Sequence, residues 1–276
     1  MGTPELALVK KLKLRTHRKM NTVFTGEYRT AFKGLGLHFD SVREYQYGDD
    51  VRNIDWNVSA RMNHLFVKQY SEERELSVVL MVDLSASVEF GSGRSKRDLV
   101  LDVATLFLYL AQMNNDRITV LLFTDRVERF IRPRKGDRFV LSVLDEIVRL
   151  KPAGKRTDIG GAIDFMLRVM KKRSVVFLVS DFLDEGYALK LKRLRQKHDL
   201  IPVVVSDPME REMNLFGLAE FVDLETGEPF LSDAMPESAE AARIREMDCI
   251  FLDTAEPIEK PIMRYFEKRN RAVRRG

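Results

Sequence analysis

The stretch SVVLMVDLSAS, residues 77–87, decides how this chain is interpreted. Its first part, Ser77 to Val82, is a continuous apolar run of the kind expected for a strand covered on both faces of a parallel sheet. Asp83 ends the run, and the serines Ser85 and Ser87 follow in a predicted loop. The stretch therefore predicts a central strand with polar side chains at its carboxyl end.

Similar apolar runs recur along the chain and alternate with amphipathic stretches. The other predicted strands are Ile118 to Phe123, Val175 to Val179 and Ile201 to Val205. The predicted helices are Ser95 to Asn114, beginning near Lys96, then Asp137 to Leu150, Asp158 to Met170 and Gly186 to Lys197. Val127 to Ile131 follows the previous strand too closely for a helical crossover, so an antiparallel edge strand is expected there. This alternation predicts an α/β fold, with helices on both faces of a mostly parallel sheet.

The ends of the chain are less regular. After Val205 we expect a strand near Glu220 to Leu224, a helix around Pro236 to Glu246, a strand at Cys249 to Leu252 and a last helix from Pro257. Before Ser77 we expect a basic helix over residues 4–20, strands at Leu37 to Tyr47 and Leu65 to Tyr70, and a short helix near Val51 to Ala60. The chain thus divides into an accessory segment, residues 1–75, expected to pack on a main domain, residues 76–276.

The charge of the 276 residues is unevenly distributed. The formal net charge is +4, from 46 Lys and Arg against 42 Asp and Glu. Residues 1–20 carry +5 and residues 260–276 carry +6, so the remainder carries −7. An acidic body is the opposite of a groove that follows a phosphate backbone, so we expect no nucleic-acid binding there. The basic ends leave open a weak contact with a membrane surface or RNA.

Cysteine content and hydropathy indicate the compartment. With the single cysteine Cys249, the chain can form neither an internal disulfide nor a thiolate cluster for zinc or iron. The longest apolar runs, Leu76 to Leu84 and Leu99 to Ala111, are shorter than the roughly 20 residues that a bilayer requires. The basic N-terminal region also lacks the apolar core of a signal peptide. We therefore expect a soluble, cytoplasmic protein.

Five polar residues are expected to meet at one edge of the sheet. Asp181 ends the Val175 strand, as Asp83 ends the first, and Thr157 precedes the intervening helix. If the two strands are neighbours, these residues and Ser85 and Ser87 converge where strand order reverses. All five offer oxygen, which selects Mg²⁺, Mn²⁺ or Ca²⁺ over zinc or copper. Taken singly, each residue also fits an ordinary loop or helix-cap role.

Residues 77–205 resemble a von Willebrand factor A domain. The five residues Asp83, Ser85, Ser87, Thr157 and Asp181 match the metal-ion-dependent adhesion site of that family. The resemblance implies that the two serines coordinate the metal directly and that Thr157 and the acids join directly or through water. It also implies that an Asp or Glu carboxylate from a partner protein completes the coordination.

A narrower resemblance covers nearly the whole chain. Its motifs include Gly34-Leu35-Gly36, Arg43-Glu44-Tyr45, Gly48-Asp49-Asp50, Ile54-Asp55-Trp56 and Asp207-Pro208-x-Glu210. They resemble the signature of the bacterial domain of unknown function family number 58. Members are commonly encoded beside MoxR-type AAA+ ATPases, which implies such an ATPase, or its client, as partner. The resulting hypothesis is a non-catalytic, metal-dependent protein-interaction module that serves as an adaptor for the ATPase.

The alternative from the enzyme class is a magnesium-dependent phosphatase with Asp83 as nucleophile. Haloacid dehalogenase-like phosphatases need a second Asp two residues later, which supplies the general acid. Ser85 occupies that position here. The sequence therefore favours a binding site over an enzyme.

The segment from Gly48 to Trp56 has two interpretations. In the structural one, Gly48 permits a turn, Asp49 or Asp50 caps a short helix, and Arg52 pairs with an acid. Trp56 is then expected to fill a core pocket. In the functional one, the segment is a docking surface. Asp207 and Glu210, which follow the Ile201 strand, are interpreted as parts of a turn.

Overall fold

The structure is a computed structural model that describes residues 11–12, 16, 22–32, 37–72, 76–89, 93–212, 219–222, 229–232, 243–244 and 246–273. Its largest unit is a six-stranded sheet. The strands of this sheet are β3 (Ser77–Asp83), β4 (Arg117–Phe123), β5 (Val127–Arg134), β6 (Val175–Ser180), β7 (Asp199–Ser206) and β10 (Ile250–Asp253). Two small sheets pair β1 (Leu37–Glu44) with β2 (Phe66–Glu72) and β8 (Ala219–Val222) with β9 (Pro229–Ser232).

The six strands lie in the order β10-β7-β6-β3-β4-β5. All neighbours are parallel except β4 and β5, which form the predicted antiparallel pair at one edge. The chain moves outward in one direction from β3 to β5 and in the other from β6 to β10. Strand order therefore reverses between β3 and β6, and the carboxyl ends of strands at such a point are where open α/β sheets usually bind ligands.

Eight helices of four residues or more are described, in addition to short 3₁₀ turns at Val51–Asn53 and Ala86–Glu89. They are α1 (Thr22–Ala31), α2 (Trp56–Met62), α3 (Lys96–Met113), α4 (Asp137–Arg149), α5 (Ile159–Val169), α6 (Ala188–Lys197), α7 (Pro208–Glu212) and α8 (Glu259–Val273). One face of the sheet is covered by α1, α3, α4 and α8, and the other by α5 and α6. The predicted α/β fold, a mostly parallel sheet with helices on both faces, is confirmed.

Alternate residues of β3 build two separate cores. Val78, Leu80 and Val82 pack under α3, whereas Val79 and Met81 pack under α5. All five side chains are almost completely buried. The central strand is therefore apolar at every position because both of its faces are covered.

The longest helix, α3, begins where its sequence predicts. The Ser95 hydroxyl accepts a hydrogen bond from the Asp98 amide at 3.1 Å, which makes Ser95 the N-cap. This cap fixes the start of α3, and hence the side chain of Lys96, close to the carboxyl end of β3.

The helix α1 belongs to the main core. Phe266 of α8 packs edge-on against Phe24 and Tyr28 of α1 and against Phe32 in the turn after α1. The ring centroids are 5.7–6.0 Å apart. The Tyr28 hydroxyl donates to Asp116 Oδ2 at 3.0 Å. Part of the accessory segment thus completes one face of the sheet.

The segment around Gly48 follows the structural interpretation in most details. Gly48 adopts a positive φ of 104°, and Asp50 caps the turn Val51–Asn53 while it binds the Arg52 guanidinium at 2.9 Å. Asp49 does not cap a helix and instead forms two 2.7 Å hydrogen bonds with Arg43. A second cap, Asp55, begins α2, so the predicted helix Val51 to Ala60 is divided in two.

The expectation that Trp56 fills a core pocket is wrong, since its side chain is 66% exposed. Trp56 is the first residue of α2, and the buried positions of this segment are Ile54, Ser59 and Val67. A two-stranded sheet with a helix of about two turns encloses too little volume to bury an indole ring.

The remaining predicted elements are present with ends shifted by a few residues. Helix α6 begins at Ala188 rather than Gly186, and β10 covers Ile250–Asp253 rather than Cys249 to Leu252. Most of the predicted helix over residues 4–20 and most of the one at Pro236 to Glu246 lie outside the described residues. Within the described ranges, no helix is long and apolar enough to cross a bilayer.

His198, at the start of β7, predicts a pH-dependent stability. Burial, together with the charges of Lys197 and Arg173, lowers the pKa of His198 from 6.5 to about 4. Neither ring nitrogen has a hydrogen-bond partner among the described residues. His198 therefore takes up a proton more readily in the unfolded chain than in the folded protein. The stability that comes from keeping His198 neutral is complete above pH 6.5 and is lost as the pH falls towards 4.

We expect His198 alone to cost the wild type about 2 kcal/mol of unfolding free energy between about pH 7 and pH 5. Urea unfolding of the wild type and His198→Leu at both pH values measures the difference. Carboxylates contribute equally to both proteins, so identical pH dependence in the two would refute this role.

Candidate functional site

Asp83 lies at the carboxyl end of β3 and is completely buried. Its Oδ1 accepts a hydrogen bond from the Ser85 amide at 2.9 Å, and its Oδ2 accepts one from the Ser180 hydroxyl at 2.6 Å. Burial first, and then the charge of Asp181, raise the pKa of Asp83 to about 7, although these hydrogen bonds oppose the shift. The carboxylate is thus held rigidly beside a second acid.

The two serines of the loop face each other. Their hydroxyl oxygens, Ser85 Oγ and Ser87 Oγ, are 3.0 Å apart. Ser85 is buried and Ser87 is partly exposed, so the pair leads from the buried carboxylate to the surface. The Ala86 amide, between them, donates to the Lys155 carbonyl at 2.8 Å.

That contact places the loop of Thr157 beside the serine loop. Glu128 anchors the same loop, because its Oε1 accepts from the amides of Gly154 at 2.8 Å and Ala153 at 3.1 Å. The Asp158 amide also donates to the Thr124 carbonyl at 3.0 Å. Thr157 therefore reaches the expected edge and is partly exposed there.

Asp181 follows β6, and an unusual backbone conformation turns the chain after it. Phe182 is buried with a φ of 60°, a left-handed conformation that is uncommon for a bulky side chain. The turn is held by a 3.0 Å hydrogen bond from the Phe182 amide to Ser180 Oγ. Backbone strain of this kind clusters at binding sites, and here it fixes Asp181 beside Asp83.

Lys96 is the site residue that the sequence did not predict. It is 1% exposed, and its Nζ lies 2.8 Å from Asp181 Oδ2 and 2.6 Å from Glu210 Oε1. Burial by itself lowers the pKa of Lys96, but Asp181 and then Glu210 outweigh it, so the pKa is raised. A charged ammonium is thus enclosed between two carboxylates.

Glu210 belongs to the short helix α7 rather than to a simple turn, which corrects the expectation for Asp207 and Glu210. Its Oε2 accepts from the Asp207 amide at 3.0 Å. Asp207 is buried and accepts from the Thr254 hydroxyl at 2.5 Å. Lys96 therefore connects the predicted site, through Glu210 and Asp207, to the segments that follow β7 and β10.

The residues present suit a hard divalent cation. Two hydroxyls 3.0 Å apart lie next to the carboxylate of Asp83, and every nearby donor is oxygen. The carboxylates of Asp181 and Glu210 enclose the Lys96 ammonium, and that of Asp83 lies beside Asp181. When all three acids are ionised, the remaining formal charge of −2 matches a divalent ion. Among the described residues, no group of three or more His, Cys, Asp or Glu has metal-binding geometry.

A signal for Lys96 did exist in the sequence. A lysine at the first position of a helix opposes the helix dipole, which favours acids there. Such a residue needs compensation from elsewhere in the fold. Here it comes from Asp181 and Glu210, which follow Lys96 by 85 and 114 positions in the sequence. Ser180, the hydroxyl that binds Asp83, was also missed.

Comparison with known proteins gives a family. Residues 41–246 match the model described as "Protein of unknown function DUF58". Two curated relatives, "Uncharacterized protein Rv1480" of Mycobacterium tuberculosis and "Uncharacterized protein Mb1516" of Mycobacterium bovis, are each 31% identical over 252 residues. The alignments cover 87% of this chain and 80% of each relative.

A solved structure, the conserved hypothetical protein BatB from Bacteroides thetaiotaomicron, covers 71% of this chain and 99% of its own. Its TM-score is 0.49 and its sequence identity is 15%. The family model extends over both the small β1–β2 sheet and the sheet that carries Asp83. Because it spans well over half of the residues, the chain belongs to the DUF58 family of proteins of unknown function.

Proposed function

We propose that this DUF58 protein is a metal-dependent protein-interaction module. The observation that carries the proposal is the convergence of Asp83, Ser85 and Ser87 at the strand-order switch, beside Asp181. Ser85 and Ser87 would hold Mg²⁺ or Mn²⁺ directly, and Asp83, Thr157 and Asp181 would join directly or through water. The bound ion would supply a coordination position for an Asp or Glu carboxylate of a partner protein.

The chain's own residues prepare this site. Ser180 and the Ser85 amide orient the Asp83 carboxylate, and Lys96 orients that of Asp181. Lys96 also neutralises one of three negative charges, so that a partner's carboxylate would approach a centre of low net charge. These features favour binding of an acidic side chain.

We propose that the site is non-catalytic. Ser85, which stands where a phosphatase of the D-x-D type needs its general acid, faces the Ser87 hydroxyl instead. No other acid or histidine of the described chain hydrogen-bonds to the Asp83 carboxylate. We therefore propose recognition of a partner rather than phosphoryl transfer.

The partner that we propose is a MoxR-type AAA+ ATPase or its client, for which the protein would act as an adaptor. A pull-down of the purified ATPase tests this pairing with the wild type, Asp83→Asn and Asp145→Asn, all in Mg²⁺ so that the ATPase keeps its own metal. Asp145 lies on α4 and pairs with Arg149 away from the site, which makes it a matched control.

With both proteins kept well below the dissociation constant, we expect the wild type and Asp145→Asn to retain the ATPase. Asp83→Asn should lose at least about 90% of it, the fall in bound fraction that a tenfold affinity loss gives under these conditions. Equal retention by all three proteins would show that any association bypasses the proposed site.

A further inference from the structure

Two neighbouring stretches of the chain are strongly basic. Residues 165–180 and 186–198 contain four and five Lys or Arg, respectively, and no Asp or Glu. This composition is unusual in a body whose net charge is negative outside the two chain ends.

The fold brings the two stretches together at the edge where the parallel strands begin. Val175, the first residue of β6, pairs with Asp199, the first of β7. Lys197 Nζ donates to the Leu167 carbonyl at 3.0 Å, which joins the end of α6 to the end of α5. This edge is opposite the one that carries Asp83, since the strands are parallel.

Six cations of these stretches form a surface that we call the basic edge. They are Lys171, Lys172, Arg173, Lys192, Arg193 and Arg195. All six are exposed, and none forms an ion pair with another residue in the part of the chain that the structure describes. Many other cations of the fold are paired, including Lys96, Arg97 and Lys190. The basic edge thus accumulates repulsion that an anionic partner would relieve.

An exposed apolar side chain lies beside these cations. Val169, at the end of α5, is 38% exposed and precedes Lys171 by two positions. A small aliphatic side chain next to lysine and arginine is suited to the boundary between lipid headgroups and acyl chains.

A polynucleotide fits this surface less well. The aromatic residues of the two stretches are Phe165, Phe177 and Tyr187. Phe177 and Tyr187 are buried, and Phe165 packs against Phe130 at 5.2 Å. The basic edge therefore offers no exposed ring on which bases could stack.

We propose that the basic edge docks the protein on an anionic lipid surface, with the Asp83 edge directed away from the membrane. The C-terminal helix supports the same orientation, because Arg269 of α8 pairs with Asp199 at the start of β7. The last turn of α8 therefore lies at this edge, where it adds the exposed Arg271.

Co-sedimentation with vesicles tests the proposal. The vesicles are phosphatidylcholine alone or phosphatidylcholine with phosphatidylglycerol, and the test variant carries Lys171→Gln, Lys172→Gln, Lys192→Gln and Arg193→Gln. The control variant loses the same charge at four exposed residues near the opposite edge, through Lys151→Gln, Lys155→Gln, Arg156→Gln and Lys260→Gln.

We expect the wild type and the control to bind only the anionic vesicles, and less as salt rises. The test variant should bind at least about tenfold more weakly, since each cation near the surface contributes to attraction. Equal binding by the two variants, or no binding by the wild type, would overturn the proposal. Tighter binding of single-stranded RNA than of anionic vesicles would overturn it in favour of a polynucleotide surface.

Discussion

Lys96→Met should lower the free energy of unfolding of the metal-free protein by about 3–5 kcal/mol, the usual cost of removing one partner from a buried ion pair. The methionine fills a similar volume but leaves Asp181 and Glu210 facing each other without the ammonium that now lies 2.8 and 2.6 Å from them. The loss is therefore electrostatic rather than a packing defect. Urea unfolding in the presence of a chelator measures it.

Two further variants separate this effect from a general sensitivity of α3. Arg97→Met removes the next cation, whose partner Glu89 is largely exposed, and should cost only about 1 kcal/mol. Adding Glu210→Gln to Lys96→Met removes one uncompensated charge and should recover part of the loss. If Lys96→Met costs no more than Arg97→Met, Lys96 does not hold the acids of the site together.

Asp83→Asn should abolish the stabilisation that Mg²⁺ or Mn²⁺ gives to the wild type. A cation present at about 100 times its dissociation constant raises the unfolding free energy by about 2.7 kcal/mol, and the variant should show almost none of this. Without metal, the same substitution should leave the unfolding free energy unchanged or raise it. Asp83 is buried beside Asp181, and its raised pKa of about 7 shows that its charge is costly there, so the neutral amide should be tolerated or stabilising.

Titration calorimetry with Mg²⁺ and with Mn²⁺ supplies the binding measurement for the same proteins. We expect the affinity of Asp83→Asn to fall by at least about 10-fold, because even a carboxylate that acts on the metal through water costs this much when it is lost. Asp145→Asn, which removes an acid of α4 that pairs with Arg149, should bind as the wild type does. Undiminished binding in Asp83→Asn would place any metal elsewhere in the molecule.

Much of the fold follows from short-range features of the sequence. A strand buried on both faces must be apolar at every position, which identified β3 and its neighbours. The three residues between Phe123 and Val127 are too few for a crossover, which identified the antiparallel edge. Because parallel strands end at a common edge, the approach of Asp83 and Asp181 followed from the position of each at the end of its strand.

Two of the failures have a common physical cause. The position of Lys96 at the start of a helix signals only that it needs compensation, because its partners Asp181 and Glu210 are distant in the sequence and no local pattern identifies them. The exposure of Trp56 depends on how little core the β1–β2 sheet encloses, whereas its composition favoured burial. In both cases tertiary context overrides the preference of the residue itself.

The central claim is that a divalent cation binds among Asp83, Ser85, Ser87, Thr157 and Asp181. Anomalous diffraction at the manganese edge, from crystals of the wild type grown with Mn²⁺, tests it most directly. We predict one strong anomalous peak adjacent to Ser85 Oγ and Ser87 Oγ, at the carboxyl end of β3. A well-diffracting crystal with no peak there, or with its strongest peak at another part of the molecule, would contradict the claim.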